Sequence, residues 1–460
     1  MGSKRWIYAA LALAVVGGGA WFFTPRLTMA RSQKLAFIFT CDVRGRLVPC
    51  GCFTGQLGGL TRVATMIGLG SPPDELRVDV GDAIEGSADY DQIEYRYIQQ
   101  AFAKMGYEAL NVGHREAALS AAQLREMKAR APVPMLSANL LEKATGKPIF
   151  DAYRIVKRGG WRIALVGVLD PRAGDGLGDG LAIEKMETTL GSLLPKLKTK
   201  ADFIVLLAFT DEAGQVELAR QFYELDVILG GKVAQPSQKL ARENRSLILA
   251  TTNQSRALGT LRVSLDARAK MKAHDGEILL VSDQIPQHPE IAALATAYRE
   301  EVRGAKLAID DPASLQGDRV PGVKTTASYT GTQTCVSCHA SAAKTWHASG
   351  HARAFATLIA RGADADPNCI GCHTVGFGAP SGYRREFKRE RLTDVGCESC
   401  HGPGSQHVAE RTAGGDATFH FRKVGSGDCQ KCHHGEFSRP FDYEKFWPLI
   451  QHGRETAVPL

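Results

Sequence analysis

Methionine is scarce in this chain of 460 residues: there are eight, and none follows Met271. No thioether side chain is therefore available as a metal ligand beyond that point. Charge of one sign is not in excess either. Lys and Arg total 56 against 49 Asp and Glu, a formal net charge of +7, which is mild for this length and does not point to nucleic acid. Long apolar runs are absent except near the amino terminus, which excludes a multi-span membrane protein. With 44% apolar and 23% charged residues, a disordered or collagen-like chain is also excluded. The length fits two or three domains, each able to bury a core.

What is present is unevenly placed. Lys4 and Arg5 precede the uncharged run Trp6 to Phe23. A basic stretch before an apolar one reads as an export signal. The run is long for a cleaved peptide and just reaches the length of a short spanning helix. Thr24, Pro25 and Arg26 follow, with no clean small-x-small site, and no cysteine follows that would mark a lipoprotein. The expectation for residues 1–33 is an uncleaved inner-membrane anchor, with a cleaved peptide or a buried helix as alternatives. The rest of the chain is then periplasmic, or extracytoplasmic more generally.

From Lys34 to about Ser282, short apolar runs alternate with amphipathic stretches. Leu35–Thr40, Leu76–Val80, Val133–Ser137, Arg162–Leu169, Phe203–Phe209, Asp226–Leu229, Leu247–Ala250 and Leu258–Leu265 read as strands. Ile93–Met105 and Ala118–Arg130 have helical spacing, and Pro289–Val302 reads as one more helix. This alternation predicts an α/β domain over 34–285, then a helix and polar linker over 286–330. From 331 to 455 strand signals almost vanish, and a mainly α, loop-rich domain is expected.

Eight of the eleven cysteines lie between Cys335 and Cys432, and ten of the thirteen histidines lie between His339 and His452. Four times the order is Cys-x-x-Cys-His: Cys335, Cys338 and His339; Cys369, Cys372 and His373; Cys397, Cys400 and His401; Cys429, Cys432 and His433. This is the attachment signature of c-type haem. Two thiols add to the two vinyl groups of one ring edge, and the histidine directly after reaches the iron as proximal ligand. Zinc ribbons do not demand a histidine after every cysteine pair, and a thioredoxin-like pair needs a βαβ context that is missing. Four covalent haems are expected. Without methionine, the sixth ligands must come from His351, His407 and His452, or from His347, His420 and His434. Bis-histidine ligation predicts low potentials. With little room left for an apolar core, the macrocycles are expected to supply much of the buried surface. The run Tyr383–Arg391 (YRREFKRER) is open to two readings: a solvated face, or charge that compensates propionates or docks an acidic partner.

The stretches YTGTQTCVSCHASAAKTWHASGHARAFATL, DPNCIGCHTVGFG, VGCESCHGPGSQHV and FSRPFDYEKFWPLIQHG resemble the cytochrome c-554 family of tetrahaem cytochromes, from about Tyr329 to Gly453. The resemblance implies distal ligation by His351 in SGHARAF, His407 in CHGPGSQH and His452 in IQHG. It also implies that one haem can lack a protein sixth ligand.

Upstream, TCDVRGRL (40–47), DVGDAIEGS (79–87), NVGHREAAL (111–119), MLSANL (135–140) and VILGGKVA (227–234) resemble the 5′-nucleotidase branch of the calcineurin-like metallophosphoesterases. The resemblance implies a metallophosphatase-like β-sandwich flanked by helices. Enzymes of that branch hold two divalent metals with Asp-x-His, Gly-Asp, Gly-Asn-His-Glu, a lone His and Gly-His-x-His. Asp42 and Asp82 match that pattern. Arg44 stands for the first histidine, His114 for the asparagine, Arg115 for the catalytic histidine, Phe209 for the lone histidine, and Lys232 and Ala234 for the final pair. Cations at these positions repel a divalent metal, so a divalent metal in this domain and phosphoesterase activity are not expected. A cationic pocket that binds an anion is the alternative use of the site. Cys41, Cys50 and Cys52 at its mouth read as one disulfide plus a buried thiol, or as a new metal or redox site. Gly55, Gly58 and Gly59 mark a strand-to-helix turn.

The expected function is electron transfer between redox partner proteins, either other cytochromes or quinol-linked complexes, with no nucleic-acid partner and with membrane contact through the amino-terminal segment. The alternatives are an oxidoreductase acting on a small nitrogen or sulfur compound at an open haem, a metal-dependent nucleotidase with a cytochrome tether, and a structural organiser of a cytochrome assembly.

Overall fold

The computed structural model describes residues 34–49, 56–171, 176–252, 254–311, 327–386, 390–414, 419, 421, 423–434 and 441–453. The Trp6 to Phe23 run, Cys50, Cys52, Gly55 and His420 lie outside the described residues. No helix among the described residues is long and apolar enough to cross a membrane.

Two six-stranded sheets share a core. The first orders the strands Met271–Leu280, Ala257–Leu265, Lys34–Thr40, Glu75–Asp79, Tyr107–Asn111 and Met135–Leu136. The second orders Ala241–Glu243, Ser246–Ala250, Val227–Gly231, Phe203–Phe209, Trp161–Leu169 and Tyr153–Arg158. Phe203–Phe209 (FIVLLAF) is buried at every position, the continuous apolar run of a strand covered on both faces. The Phe37 and Phe203 rings stack at 6.0 Å between the sheets. Asn111 Nδ2 ties the sheets further, 2.9 Å from the Val80 carbonyl, 3.0 Å from that of Val168 and 3.2 Å from that of Leu207. Helix Leu60–Ile67 covers the first sheet, and helices Met186–Leu197 and Glu212–Gln221 cover the second. The α/β sandwich flanked by helices is therefore the observed fold.

The differences have local causes. Val133–Ser137 pairs only at Met135–Leu136, because Pro132 and Pro134 offer no backbone donor on its leading side. The helix expected from Ala118 begins at Ala121, where the Ser120 side chain accepts from the Gln123 amide at 3.3 Å, and His114–Ala117 forms a separate turn. The edge strands Tyr153–Arg158 and Met271–Leu280 are half-exposed and polar, so they carry no apolar run to read. Gly58 (φ +82°) and Gly59 (φ +92°) do form the turn into helix Leu60–Ile67; a Cβ on Gly59 would sit 2.6 Å from the Pro49 nitrogen.

Beyond residue 327 the described chain forms short helices and loops around a small cluster of Tyr329, Leu358, Ile370, Val375, Tyr383 and Leu392. Helices Ala340–Ala348 and Ser405–Thr412 bury none of their residues.

Helix Pro289–Gly304 joins the two regions. Tyr298 donates to Asp366 Oδ2 at 2.9 Å, and Arg303 grips both Asp364 oxygens at 2.8 Å. Arg385 pairs with Asp310 at 2.7 Å, donates to the Ala365 carbonyl at 2.8 Å and to the Val302 carbonyl, and is 5% exposed. Arg384 is buried against the Asp310 carbonyl. The solvated-face reading of the basic run therefore fails for these two arginines, which hold the regions together.

Candidate functional site

The loops after five parallel strands converge on a cleft of about 360 Å³ lined by Asp42, Arg44, Asp82, His114, Arg115, Phe209, Lys232 and Thr252. Asp42, Asp82 and Lys232 hold left-handed φ of 58°, 58° and 57°. Such strain gathers at functional sites and persists only where the surrounding structure enforces it.

The charges in the cleft are matched pairwise. Arg44 donates to Asp42, whose other oxygen accepts from Thr252 Oγ1 at 3.0 Å. Arg115 lies 3.8 Å from Asp82 and donates to the Glu85 carbonyl. Lys232 lies 3.8 Å from Asp170, which accepts from Thr210 Oγ1 at 3.0 Å. Three side-chain cations thus sit among the carboxylates of the cleft. His114 Nε2 is 2.7 Å from the Asp170 carbonyl, and its ring meets Phe209 edge-on at 5.0 Å. Burial shifts His114 toward its neutral form. Burial, and then the Glu116 carboxylate, pushes Asp82 up to about 8. Among the described residues no three His, Cys, Asp or Glu side chains converge as a metal-binding group. Cys41 is fully buried beneath the cleft, with Sγ 3.5 Å from the Gly81 carbonyl.

Two further residues support the cleft from behind. Asp170 directly follows strand Trp161–Leu169 and anchors both His114 and Lys232. Glu116, buried, accepts from the amides of Asp82, Ala83, Ile84 and Gly113 at 2.8–3.1 Å and so shapes the loop that carries Asp82.

In the carboxy-terminal region the second and third Cys-x-x-Cys-His motifs lie in helices Pro367–His373 and Cys397–His401, and the first and fourth run from the ends of helices Thr332–Val336 and Ser426–Cys429 into a turn. The amides of Cys338 and His339 bond the Cys335 carbonyl, and those of Cys432 and His433 bond that of Cys429. Cysteines three apart on a helical turn share a face. The first and third motifs touch through the Cys335 and Cys397 thiols, and the second and fourth through Cys372 and Cys432.

The histidines pair across motifs. His339 faces His407 with ring centroids 6.2 Å apart, His433 faces His351 at 6.1 Å, and His401 faces His452 at 5.9 Å. Two metal–imidazole bonds of about 2.0 Å, plus a ring radius of about 1.1 Å on each side, span about 6.2 Å. The three pairs are therefore spaced to hold one iron each. His373 is fixed by a 2.6 Å contact between Nδ1 and the Ala354 carbonyl, which leaves Nε2 available as a ligand. His347 is exposed beside Trp346, with centroids 4.7 Å apart, and His434 is exposed; neither is in one of the three pairs.

One residue inside a motif has a role that the spacing does not announce. Glu398, buried, accepts from the amides of Thr330, Gly331 and Gly404 at 2.7–3.1 Å. It ties the start of the first motif's helix to the start of the helix bearing His407.

Residues 334–402 match the family model described as cytochrome c554 and c-prime. A cytochrome c-554 from Nitrosomonas europaea is 36% identical over 22% of this chain and 47% of its own length. A 5′-nucleotidase of Vibrio cholerae is 27% identical over 50% of this chain and 45% of its own. The chain thus spans less than half of either relative. The fold of the amino-terminal region is that of a 5′-nucleotidase precursor from Thermus thermophilus, at a TM-score of 0.51 and 22% identity over 58% of this chain and 59% of that one. One polypeptide therefore joins a region homologous to 5′-nucleotidases to a region of the cytochrome c554 and c-prime type.

Proposed function

We propose that this protein is an extracytoplasmic electron carrier with four covalent haems, on the cysteine pairs 335/338, 369/372, 397/400 and 429/432. The observation that carries this reading is the set of three facing histidine pairs at 5.9–6.2 Å. Haem c, when attached, supplies reversible one-electron chemistry. His339, His373, His401 and His433 serve as proximal ligands, with His407, His452 and His351 opposite the first, third and fourth. Exposed helices such as Ala340–Ala348 fit this reading, since a macrocycle gives their inner faces something apolar to cover. The tetrahaem region is assigned to 331–455 and the phosphoesterase-like region to 34–285.

The cleft serves docking or binding and not two-metal hydrolysis. Arg44, Arg115 and Lys232 supply the positive charge, each within reach of a carboxylate. The redox partners are other cytochromes or quinol-linked complexes, and the amino-terminal run is the membrane contact.

Haem count and axial ligation test the central reading. Purified protein is expected to contain four haems, and Cys397→Ser with Cys400→Ser three. An unchanged count in that variant overturns it. The three pairs employ His351, His407 and His452, so a sixth ligand for iron on His373 has to come from elsewhere. A fraction of high-spin iron that binds a small nitrogen or sulfur compound would favour an oxidoreductase. Low-spin iron throughout favours pure electron transfer.

A further inference from the structure

Three carboxyl groups from the two regions meet at the helix that carries the second motif. Asp366 caps helix Pro367–His373, accepting from the Asn368 amide at 3.0 Å and from Tyr298 at 2.9 Å. Asp91 and Glu94 come from helix Asp89–Lys104 of the phosphoesterase-like region, and Asp91 also bonds the Asn368 side chain. All three residues are at least nine-tenths buried. Asp91 Oδ1 is buried without a hydrogen-bond partner among the described residues, although its Oδ2 accepts from the Ala88 amide at 3.2 Å. Glu94 packs on the loop that leads out of the cleft, its Oε2 lying where a Cβ on Gly45 would fall 2.7 Å away.

The charged groups facing this cluster are known from each side. Arg46 and Glu85 approach from the cleft loops, Arg299 and Tyr298 from helix Pro289–Gly304, and Arg385 from the segment after the second motif. Arg385 is already engaged by Asp310 and Glu85 adds a further negative charge, so the positive charge does not cancel three buried carboxylates. Buried like charges at close range cannot all ionise. Burial pushes Asp91 up to about 6 and raises Glu94 and Asp366 as well.

We propose that Asp91, Glu94 and Asp366 form a proton-loading site for the redox centre held by Cys369, Cys372 and His373. The site rests on the electron-carrier reading above. One electron arrives from a one-electron donor, a neighbouring haem or a partner cytochrome. One proton arrives from water and forms an O–H bond on a carboxylate of the cluster. On oxidation both depart, and no other bond is made or broken. The added negative charge on the centre, whose first cysteine is three residues from Asp366, raises the proton affinity of the cluster, which couples the two events. The cluster belongs to both regions, so it makes this centre answer to the phosphoesterase-like region.

Redox titration of the full holoprotein across pH, followed by haem absorbance, tests the proposal. Above about pH 6 one of the four components is expected to fall with rising pH, approaching about 59 mV per unit, the value for one proton per electron. Glu94→Gln and Asp91→Asn are expected to flatten that component with all four haems retained, and Glu94→Asp to keep its slope. Proton uptake on reduction in weakly buffered solution is a second readout, expected to drop by about one proton per chain in Glu94→Gln with Asp91→Asn. Four haems with pH-independent potentials, or a slope that survives in the double variant, overturn the proton site alone. A wild-type protein without haem on Cys369 and Cys372 overturns it together with the electron-carrier reading.

Discussion

The His339 and His407 rings face each other 6.2 Å apart with 26° between their planes, although one follows the first cysteine motif and the other the third. His407 lies on helix Ser405–Thr412, and partial burial, then the neighbouring His339, holds its imidazole toward the neutral form that ligates iron. His407→Ala is expected to convert one haem from low-spin to high-spin while the other three are unchanged. Electron-paramagnetic resonance of the oxidised protein reads this directly. A spectrum indistinguishable from wild type would mean that the pair does not share an iron.

Glu398 is what brings those two rings into register. Its carboxylate takes the amides of Thr330, Gly331 and Gly404, so removing it leaves buried donors without an acceptor. Hydrogen bonds to a charged group contribute about 1.5–3 kcal/mol each, and an orphaned buried donor costs about 1–3 kcal/mol. Glu398→Ala is expected to lower stability by about 3 kcal/mol and to perturb the His339/His407 spectrum before the others. Glu398→Gln keeps one acceptor oxygen and is expected to recover part of both effects. Denaturant titration with haem absorbance as the probe gives the two readouts together.

The cleft predicts an elemental composition. Arg44, Arg115 and Lys232 each lie on or near a carboxylate, so a divalent cation has to displace a paired guanidinium or ammonium group before it can bind. Metal analysis of protein incubated with manganese or zinc is expected to find iron from the haems and far less than one other metal per chain. Hydrolysis of a 5′-nucleotide is expected to stay at background under the same conditions. Stoichiometric manganese, or turnover that depends on it, would show that the cations move aside.

How much could be read from the sequence depended on how local the chemistry is. Covalent attachment needs two thiols and a histidine within five residues, so Cys335 to His339 and its three counterparts are legible as written. The distal histidines follow from demand alone, and nothing local says that His351 belongs with His433 and not with its own motif. The parallel strands stand out because strands such as Phe203–Phe209 are apolar throughout, whereas Met271–Leu280 is an edge with one wet face. The arginine-rich run misleads for a related reason. Charged residues in succession look solvated, and the partner that buries Arg385, Asp310, is 75 residues away in sequence. Asp366, Asp91 and Glu398 are ordinary acids in the sequence and gain their roles only from what surrounds them.

The pair between Arg385 and Asp310 separates a buried ion pair from the many exposed ones. Both side chains are 5% exposed, and Asp310 Oδ2 also accepts from the Leu307 amide at 3.0 Å. Asp310→Ala strands a guanidinium in the joint between the two regions, where removing one partner costs about 3–5 kcal/mol. Asp275→Ala is the control: its contact with Arg262 is 3.9 Å long between side chains 62% and 75% exposed, and surface pairs of this kind contribute about 0–1 kcal/mol. Urea unfolding followed by far-ultraviolet circular dichroism, dominated by the two sheets, and by haem absorbance is expected to show both transitions shifted in Asp310→Ala and neither in Asp275→Ala. Because the pair spans the joint, the two probes are also expected to separate in Asp310→Ala, the cytochrome region unfolding apart from the sandwich. A shift confined to one probe would place the pair's contribution within a single region. Coincident, unshifted transitions would mean that Arg303, Tyr298 and Asp364 hold the joint without it.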